Sequence, residues 1–222
     1  VMVWLWWRHG WHYGVPMGVG ICVAYLLVVT RPRSQGFGEV ATTVRGPGSL
    51  LTIDDGPDPN DTPVILDLLD EAGEKAVFFV IGEKVRRYPE LVREIVRRGH
   101  ELGNHTQTHP QGSFWIRGSA ATRREISGCS DAIEEVAGVK PRWFRAPVGH
   151  RNWFTHPIAT DLGMEVVAWN RRAFDTVSRD VEGIVRRLTT SVGDGDVVLV
   201  HESTPVAKEV VRRVLEMRGS SG

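Results

Sequence analysis

The stretch at residues 50–57, Leu-Leu-Thr-Ile-Asp-Asp-Gly-Pro, constrains the fold of this chain more than any other part of the sequence. A short apolar run that stops at two carboxylates and a glycine is typical of a buried strand reaching its carboxyl end. In α/β folds, ligands bind and chemistry occurs at these strand ends. An Asp-Asp-Gly turn is the competing interpretation, because Asp and Gly are common turn residues. Asp54 and Asp55 taken alone would favour the turn, so the decision rests on motifs further along the chain.

Apolar runs and amphipathic stretches alternate over most of the sequence. Continuous or short apolar runs predict strands at residues 50–53, 76–81, 100–102, 142–145, 164–169 and 197–200. Helical periodicity and helix-end signals predict helices at residues 61–73, 89–98, 121–137, 155–162, 180–192 and 205–217. This alternation predicts an α/β fold, a distorted parallel (β/α) barrel of about seven strand–helix units.

The N-terminal segment has a different composition. Residues 13–30 carry no charge, aromatic residues precede them, and Arg31 and Arg33 follow. A helix of this length covers roughly 27 Å, enough to cross a bilayer core. We therefore predict a transmembrane helix within a membrane anchor at residues 1–33, a linker and lead-in at residues 34–49, and a folded domain at residues 50–222.

Two other interpretations of residues 13–30 are a secretory signal peptide and a buried core helix. The apolar run is long for a signal peptide and no small-residue cleavage pattern follows it. Three glycines and a proline in its first half are poor helix material in water. The flanking charges do not determine the orientation in the membrane.

Overall composition excludes some function classes. Lys plus Arg and Asp plus Glu number 27 each, so the net charge predicts no nucleic-acid partner. Cys22 and Cys129 are distant from each other and have no neighbours at metal-ligand spacing, so neither a disulfide framework nor a cysteine metal site is expected. The oligomeric state is not determined by the sequence.

Two histidines supply the first evidence for a metal site. His105 and His109 are spaced i, i+4 in Asn-His-Thr-Gln-Thr-His-Pro, which places two imidazoles on one side of a helical or tightly turned segment. Either histidine alone is more often a surface or hydrogen-bonded residue than a ligand. Two imidazoles with one carboxylate, and a position left for water, match a catalytic Zn²⁺ site, although another divalent transition metal could bind. Of Asp54 and Asp55, one would bind the metal and the other would act as general base.

The ordered motifs from about residue 50 to residue 217 resemble those of the NodB-type polysaccharide deacetylases, carbohydrate esterase family 4. Thr-Ile-Asp-Asp-Gly matches the first motif of that family, and His-Thr-Gln-Thr-His matches the second. The resemblance implies that Asp54 is the base and Asp55 a metal ligand. It also implies that His105 and His109 are the remaining ligands.

The later motifs carry the rest of the expected site. Arg-Ala-Pro-Val-Gly at residues 145–149 implies that Arg145 orients the base and that the backbone N–H of Val148 binds the oxyanion. Leu-Val-His at residues 199–201 implies that His201 protonates the leaving group. Leu199 is expected to contact the substrate.

The fourth motif departs from the family pattern. Asp175 keeps a carboxylate, which we expect to lie behind Arg145, but Thr176 stands where an aromatic residue is usual. Arg171 and Arg172 replace neutral or acidic positions, either as a solvated face or as contacts to an anionic substrate. Trp153, beside the third motif, is the best candidate for stacking on a sugar, with core packing as its alternative.

The resemblance implies hydrolysis of an N-acetyl or O-acetyl group on a sugar polymer or oligosaccharide by metal-activated water, in a deacetylase domain at residues 50–222 outside the cytoplasm. The partners expected are an acetylated glycan and, through residues 13–30, a membrane. A metal-dependent amidase on a non-carbohydrate substrate is one alternative. A membrane-tethered glycan-binding module without turnover is another, although every catalytic side-chain type is present.

Overall fold

The computed structural model describes residues 4, 7, 8 and 10–219. Its strands are β1 (Leu50–Gly56), β2 (Ala76–Val80), β3 (Glu101–Asn104), β4 (Trp143–Phe144), β5 (Glu165–Val166), β6 (Arg171–Arg172) and β7 (Val197–His201). Its helices are α1 (Trp11–Val29), α2 (Thr62–Ala72), α3 (Gly82–Arg87), α4 (Pro89–Arg97), α5 (Ser119–Ala137), α6 (Thr155–Asp161), α7 (Val181–Thr189) and α8 (Ala207–Gly219).

One seven-stranded sheet organises the domain, in the order β5-β4-β3-β2-β1-β7-β6. Every neighbouring pair of strands is parallel, and the sheet curls into a half-barrel with helices around it. The predicted parallel α/β architecture is therefore confirmed. Because every neighbouring pair is parallel, all carboxyl ends of the strands lie at one edge of the sheet.

The lead-in before β1 spans the open side of the sheet. Ala41 forms a parallel bridge with Val167, just beyond β5, and Thr43 forms an antiparallel bridge with Asp196, just before β7. Val40 is buried in the same apolar cluster as the nearby strands. Residues 40–44 thus join the two ends of the sheet through backbone hydrogen bonds.

Side chains alternate between two apolar clusters along the central strands. In β7, Val198 and Val200 pack in the cluster beneath α2, α4 and α8, whereas Val197 and Leu199 pack in the opposite one. In β1, Leu51 and Ile53 belong to the first cluster. The two-residue period of a strand then places Thr52 and Asp54 on the opposite, inner face. Burial of each large apolar side chain contributes about 1.5–3 kcal/mol, so this alternation holds the strand register.

Some elements differ from their predicted form. The strands predicted at residues 142–145 and 164–169 are shorter in the structure, where β4 and β5 have two residues each. The sequence pattern did not predict β6, because this strand consists of two arginines. It did not predict α3 either, because six residues are too few to show helical periodicity.

The N-terminal helix forms, but the transmembrane prediction is not supported. Within the described part of the chain, no helix is long and apolar enough to cross a membrane. Glycine or proline occupies four of the nineteen positions of α1 and contributes little apolar side-chain area. Residues 1–3, 5, 6 and 9 of the predicted anchor lie outside the described residues.

The C-terminal half of α1 contacts the folded domain. The Tyr25 hydroxyl donates a hydrogen bond of 2.7 Å to the Trp115 carbonyl, and the Tyr25 ring stacks on Trp153 with centroids 6.5 Å apart. Phe37 packs edge-on against Trp153 at 4.9 Å, and Val29 is buried. This end of the helix therefore packs against the folded domain.

Candidate active site

The two aspartates at the end of β1 face the same pocket because the strand bulges between them. In the pairing with β2, Asp54 is opposite Phe79 and Gly56 opposite Val80, which leaves Asp55 as an extra residue. Asp55 has a φ of 71°, and Lys84 Nζ donates a 2.6 Å hydrogen bond to its carbonyl oxygen. Neighbouring residues of a regular strand point to opposite faces, so the bulge is what turns Asp55 back to the side of Asp54.

Asp55, His105 and His109 form a compact cluster of metal-ligand atoms. Their ligand atoms all lie within 4.8 Å of one another. The Asp55 Oδ1 atom is 3.4 Å from His105 Nε2 and 3.2 Å from His109 Nε2. That oxygen is buried without a hydrogen-bond partner, a costly state unless a cation binds it. Two imidazoles and an orphaned carboxylate oxygen fit a divalent metal such as Zn²⁺.

The loop after β3 sets the orientation of both imidazoles. His105 Nδ1 lies 2.8 Å from the Arg145 carbonyl, which fixes the ring and directs Nε2 into the cluster. Glu125 accepts hydrogen bonds from the Thr108 backbone N–H and hydroxyl. His109 has a φ of 52°, so the two histidines converge through a tight turn rather than a helix.

The ionisation of the cluster suits metal binding. Burial and, as a smaller contribution, the charge of the neighbouring His105 lower the pKa of His109 to about 4. Burial would raise the pKa of Asp55, but the close approach and charge of His105 outweigh it and leave that pKa well below its usual range. At neutral pH His109 is therefore neutral and Asp55 ionised, as metal ligands must be.

Asp54 is held on the inner face of the sheet by a buried ion pair. Arg145 is fully buried, and its NH1 group lies 2.7 Å from Asp54 Oδ1 and 2.8 Å from Thr52 Oγ1. The second Asp54 oxygen is 3.7 Å from His105 Nε2, farther than the Asp55 oxygen. Arg145 thus orients Asp54 beside the ligand cluster. It binds Oδ1 of Asp54 and leaves Oδ2 on the side of His105.

His201 is paired with Asp175, which corrects the expected arrangement. The Asp175 carboxylate contacts both His201 Nδ1 and the His201 backbone N–H, each at 2.7 Å, and does not lie behind Arg145. The NH2 group of Arg145 instead donates a hydrogen bond to the Ala168 carbonyl at 3.0 Å. Burial acts to lower the pKa of His201, but the hydrogen bond and charge of Asp175 raise it more, so the pKa lies above its ordinary value.

Val148 holds a strained backbone conformation at the edge of the pocket. It lies in the 3₁₀ turn Pro147–Gly149 with a φ of 57°, which is rare for a β-branched residue. The amides of Gly149 and His150 donate within the turn, to the carbonyls of residues 146 and 147. Strained backbone of this kind persists where the surrounding structure holds it in place, and it is common at functional sites.

A small pocket of about 140 Å³ joins these groups. Its lining includes the base candidate, the metal-ligand cluster, the acid candidate, Val148 and Leu199, together with Gln111, Trp169, Arg172 and Thr176. Trp153 does not line this pocket and packs against Tyr25 and Phe37 instead, so its role as a sugar platform stays a prediction.

Four supporting residues were not predicted from the sequence. They are Thr52, Lys84, Glu125 and Glu202, the last of which is buried and accepts a hydrogen bond from the Thr62 hydroxyl. Thr52 precedes Asp54 by two residues on the same strand face, and that spacing could have identified it. The other three act across long sequence separations and carry no local signal.

Comparison with known proteins places the chain in a family. The family model described as polysaccharide deacetylase matches residues 42–167. A chitooligosaccharide deacetylase of Bradyrhizobium is 36% identical over 178 residues, which cover 79% of this chain and 78% of that protein. The peptidoglycan-N-acetylmuramic acid deacetylase PdaC of Bacillus subtilis is 32% identical over 75% of this chain, but the chain spans only 35% of PdaC.

Solved structures agree with the sequence relatives. The structure of PdaC superposes with a TM-score of 0.72 at 30% identity, covering 79% of this chain and 85% of that one. A carbohydrate esterase family 4 pseudoenzyme from Bacillus anthracis also superposes with a TM-score of 0.72, at 25% identity and over 79% of this chain and 62% of that one. The family match and the relatives together show that this chain belongs to the polysaccharide deacetylases, carbohydrate esterase family 4.

Proposed function

We propose that this chain hydrolyses N-acetyl groups on an amino-sugar chain with the help of a divalent metal. The observation that carries the proposal is that a base candidate, an acid candidate and a metal-ligand cluster line one pocket. Asp54 with Arg145 lies on one side of the Asp55–His105–His109 cluster, and His201 with Asp175 completes the lining. A base, an acid and a ligand set, each with its own partner, are what hydrolysis of an amide requires.

The metal would be held by Asp55, His105 and His109. A divalent ion bound there supplies Lewis acidity, which polarises the acetyl carbonyl and lowers the pKa of water. Asp54 is positioned to accept the proton of the attacking water, since Arg145 fixes its carboxylate next to the cluster. Because the Arg145 guanidinium is fully buried, it holds the Asp54 carboxylate in one orientation for the proton transfer from water.

The other groups act on the oxyanion and the leaving group. Val148 lines the pocket, and its backbone N–H would donate to the tetrahedral oxyanion. His201 would hold a proton on Nε2, because Asp175 occupies Nδ1 and raises the pKa of the imidazole. It would give this proton to the departing amine, which is a poor leaving group without it.

Fold similarity alone does not support turnover, because a pseudoenzyme shares this fold. Support for turnover comes from the intact side-chain set and its geometry. The relatives are named for chitooligosaccharide and peptidoglycan substrates, and both substrates are chains of N-acetylated amino sugars. We propose a substrate of this kind, met outside the cytoplasm where such wall polymers lie.

Removal of the metal tests the proposal. The purified chain should release acetate from acetylated chito-oligosaccharides, a strong chelator should abolish the release, and added Zn²⁺ should restore it. Acetate and metal content are measured on the same samples. Full activity in metal-free protein, or no acetate from metal-loaded protein on any acetylated amino-sugar chain, would refute the proposed function.

The pairing of His201 with Asp175 leads to a prediction about pH. In Asp175→Asn the hydrogen bond to the ring can persist but the negative charge is lost, so the pKa of His201 should fall. As the pH rises, His201 would then lose its proton at a lower pH than in the unmodified protein. The alkaline limb of the kcat/KM profile should therefore move to lower pH. Asp161→Asn, an exposed carboxylate on α6, is the control. A reduced rate with an unmoved alkaline limb would mean that Asp175 only positions the ring.

A further inference from the structure

An arginine-lined groove adjoins the catalytic pocket. It has a volume of about 730 Å³ and lies between residues 30–34 and the segment that contains β6. It shares Trp169 and Arg172 with the pocket, so the two spaces lie side by side. We name it the arginine groove after five of its lining residues: Arg31, Arg33, Arg171, Arg172 and Arg187.

The lining of the arginine groove carries an excess of positive charge, although the charges of Asp175 and Asp54 act on Arg172 from outside the lining. The whole chain has a formal net charge of zero, yet no Asp or Glu belongs to the described lining of this groove. Within the part of the chain that the structure describes, Arg171 is the one arginine of the five that forms an ion pair, with Asp196 at 2.9 Å. Arg33 donates to the backbone carbonyls of residues 169 and 170 at 2.9 and 2.7 Å, which are neutral acceptors. Arg31 and Arg187 are exposed and make no ion pair within the described part of the chain.

Arg172 lies at the junction of the groove and the pocket. Its guanidinium is 4.6 Å from the Phe174 ring centroid and 5.5 Å from that of Trp169. Its Nε atom is buried without a hydrogen-bond partner. A partly desolvated cation with an unused donor is costly unless another group supplies the missing acceptor. Together with the positive charge of the lining, this unused donor at the junction favours an anionic ligand.

The position of the groove favours the substrate as the source of that anion. Guanidinium groups bind carboxylates through paired N–H donors, and Arg exceeds Lys in such recognition. A glycan held with its acetyl group in the pocket would continue into the adjoining groove. We propose that the arginine groove is a subsite for a carboxylate on an acidic sugar beside the residue that is deacetylated. This inference rests on the proposed function and adds the substrate class to it.

The test compares two acetylated oligosaccharides of equal length, a neutral chito-oligosaccharide and one that alternates N-acetylglucosamine with a carboxylate-bearing N-acetylated sugar. In Arg31→Gln/Arg187→Gln, the ratio of kcat/KM for the acidic over the neutral substrate should fall about tenfold or more, as loss of charge-assisted hydrogen bonds predicts. The Kd of the deacetylated acidic oligosaccharide, measured by calorimetry, should rise by a similar factor. Both arginines are exposed, so the fold should be unaffected.

Arg186→Gln is the matched control, because Arg186 is an exposed neighbour of Arg187 on α7 and does not line the groove. An unchanged ratio and Kd in the double variant would overturn the proposal. Loss of binding to anionic phospholipid vesicles with an unchanged glycan ratio would also overturn it and assign the groove to lipid headgroups. Arginine-dependent binding of the acidic oligosaccharide without release of acetate from either substrate would support the subsite and refute the proposed function.

Discussion

Asp54→Asn should lower turnover by at least about 100-fold while the protein retains its metal. The substitution keeps the shape of the side chain and removes its ability to accept a proton from water. One carboxylate oxygen of Asp54 is engaged by Arg145, and the other is farther from His105 than the Asp55 oxygen is. The metal site should therefore survive, and metal stoichiometry measured alongside kcat separates the two effects.

Asp55→Asn should have the opposite signature. It replaces the orphaned carboxylate oxygen at the centre of the ligand cluster, so metal affinity should fall and activity should return only at high metal concentration. Asp67→Asn, an exposed carboxylate on α2, should change neither quantity. Metal loss in Asp54→Asn together with metal retention in Asp55→Asn would reverse the two roles.

Arg145→Met should lower the free energy of unfolding by about 3–5 kcal/mol, because it leaves the buried Asp54 charge without a partner. Urea unfolding of the metal-free protein measures the loss without interference from metal binding. The double variant Asp54→Asn/Arg145→Met should be less destabilised than the sum of the single changes, since the two residues share one interaction.

Arg142→Met is the control for that experiment. Arg142 precedes Arg145 by three residues but is exposed, and its ion pair with Glu101 at 3.2 Å is solvated. Such surface pairs contribute about 0–1 kcal/mol, so the control should be nearly neutral. A similar loss in both variants would show that the buried pair contributes no more than a surface pair.

The metal ligands could be predicted because their signals are local. His105 and His109 are separated by four residues, and Asp55 follows a recognisable apolar run. The sequence also required a bend near Asp55, but its form, a bulge with positive φ at Asp55 itself, depends on pairing with β2. Local pattern thus identified the groups, whereas sheet register determined their orientation.

The partner of Asp175 could not be predicted for the same reason. Asp175 and His201 are 26 residues apart, and they meet because β6 pairs with β7, although the two arginines of β6 do not resemble a strand. The position of Trp153 likewise depends on the contact between α1 and the domain. These arrangements arise from long-range packing that residue spacing does not encode.

The catalytic groups and two of the three metal ligands lie on parts of the fold with different tolerance for change; the third ligand, Asp55, lies on β1 beside Asp54. Asp54 and His201 are direct register partners in two interior strands, whereas His105 and His109 belong to a loop after β3. Mutations in that loop could remove metal binding while the sheet, the base and the acid remain intact. Substitutions at a few loop positions can therefore remove or restore metal binding, and with it activity, in a protein that keeps its fold. Inactive relatives can arise in this way without loss of stability.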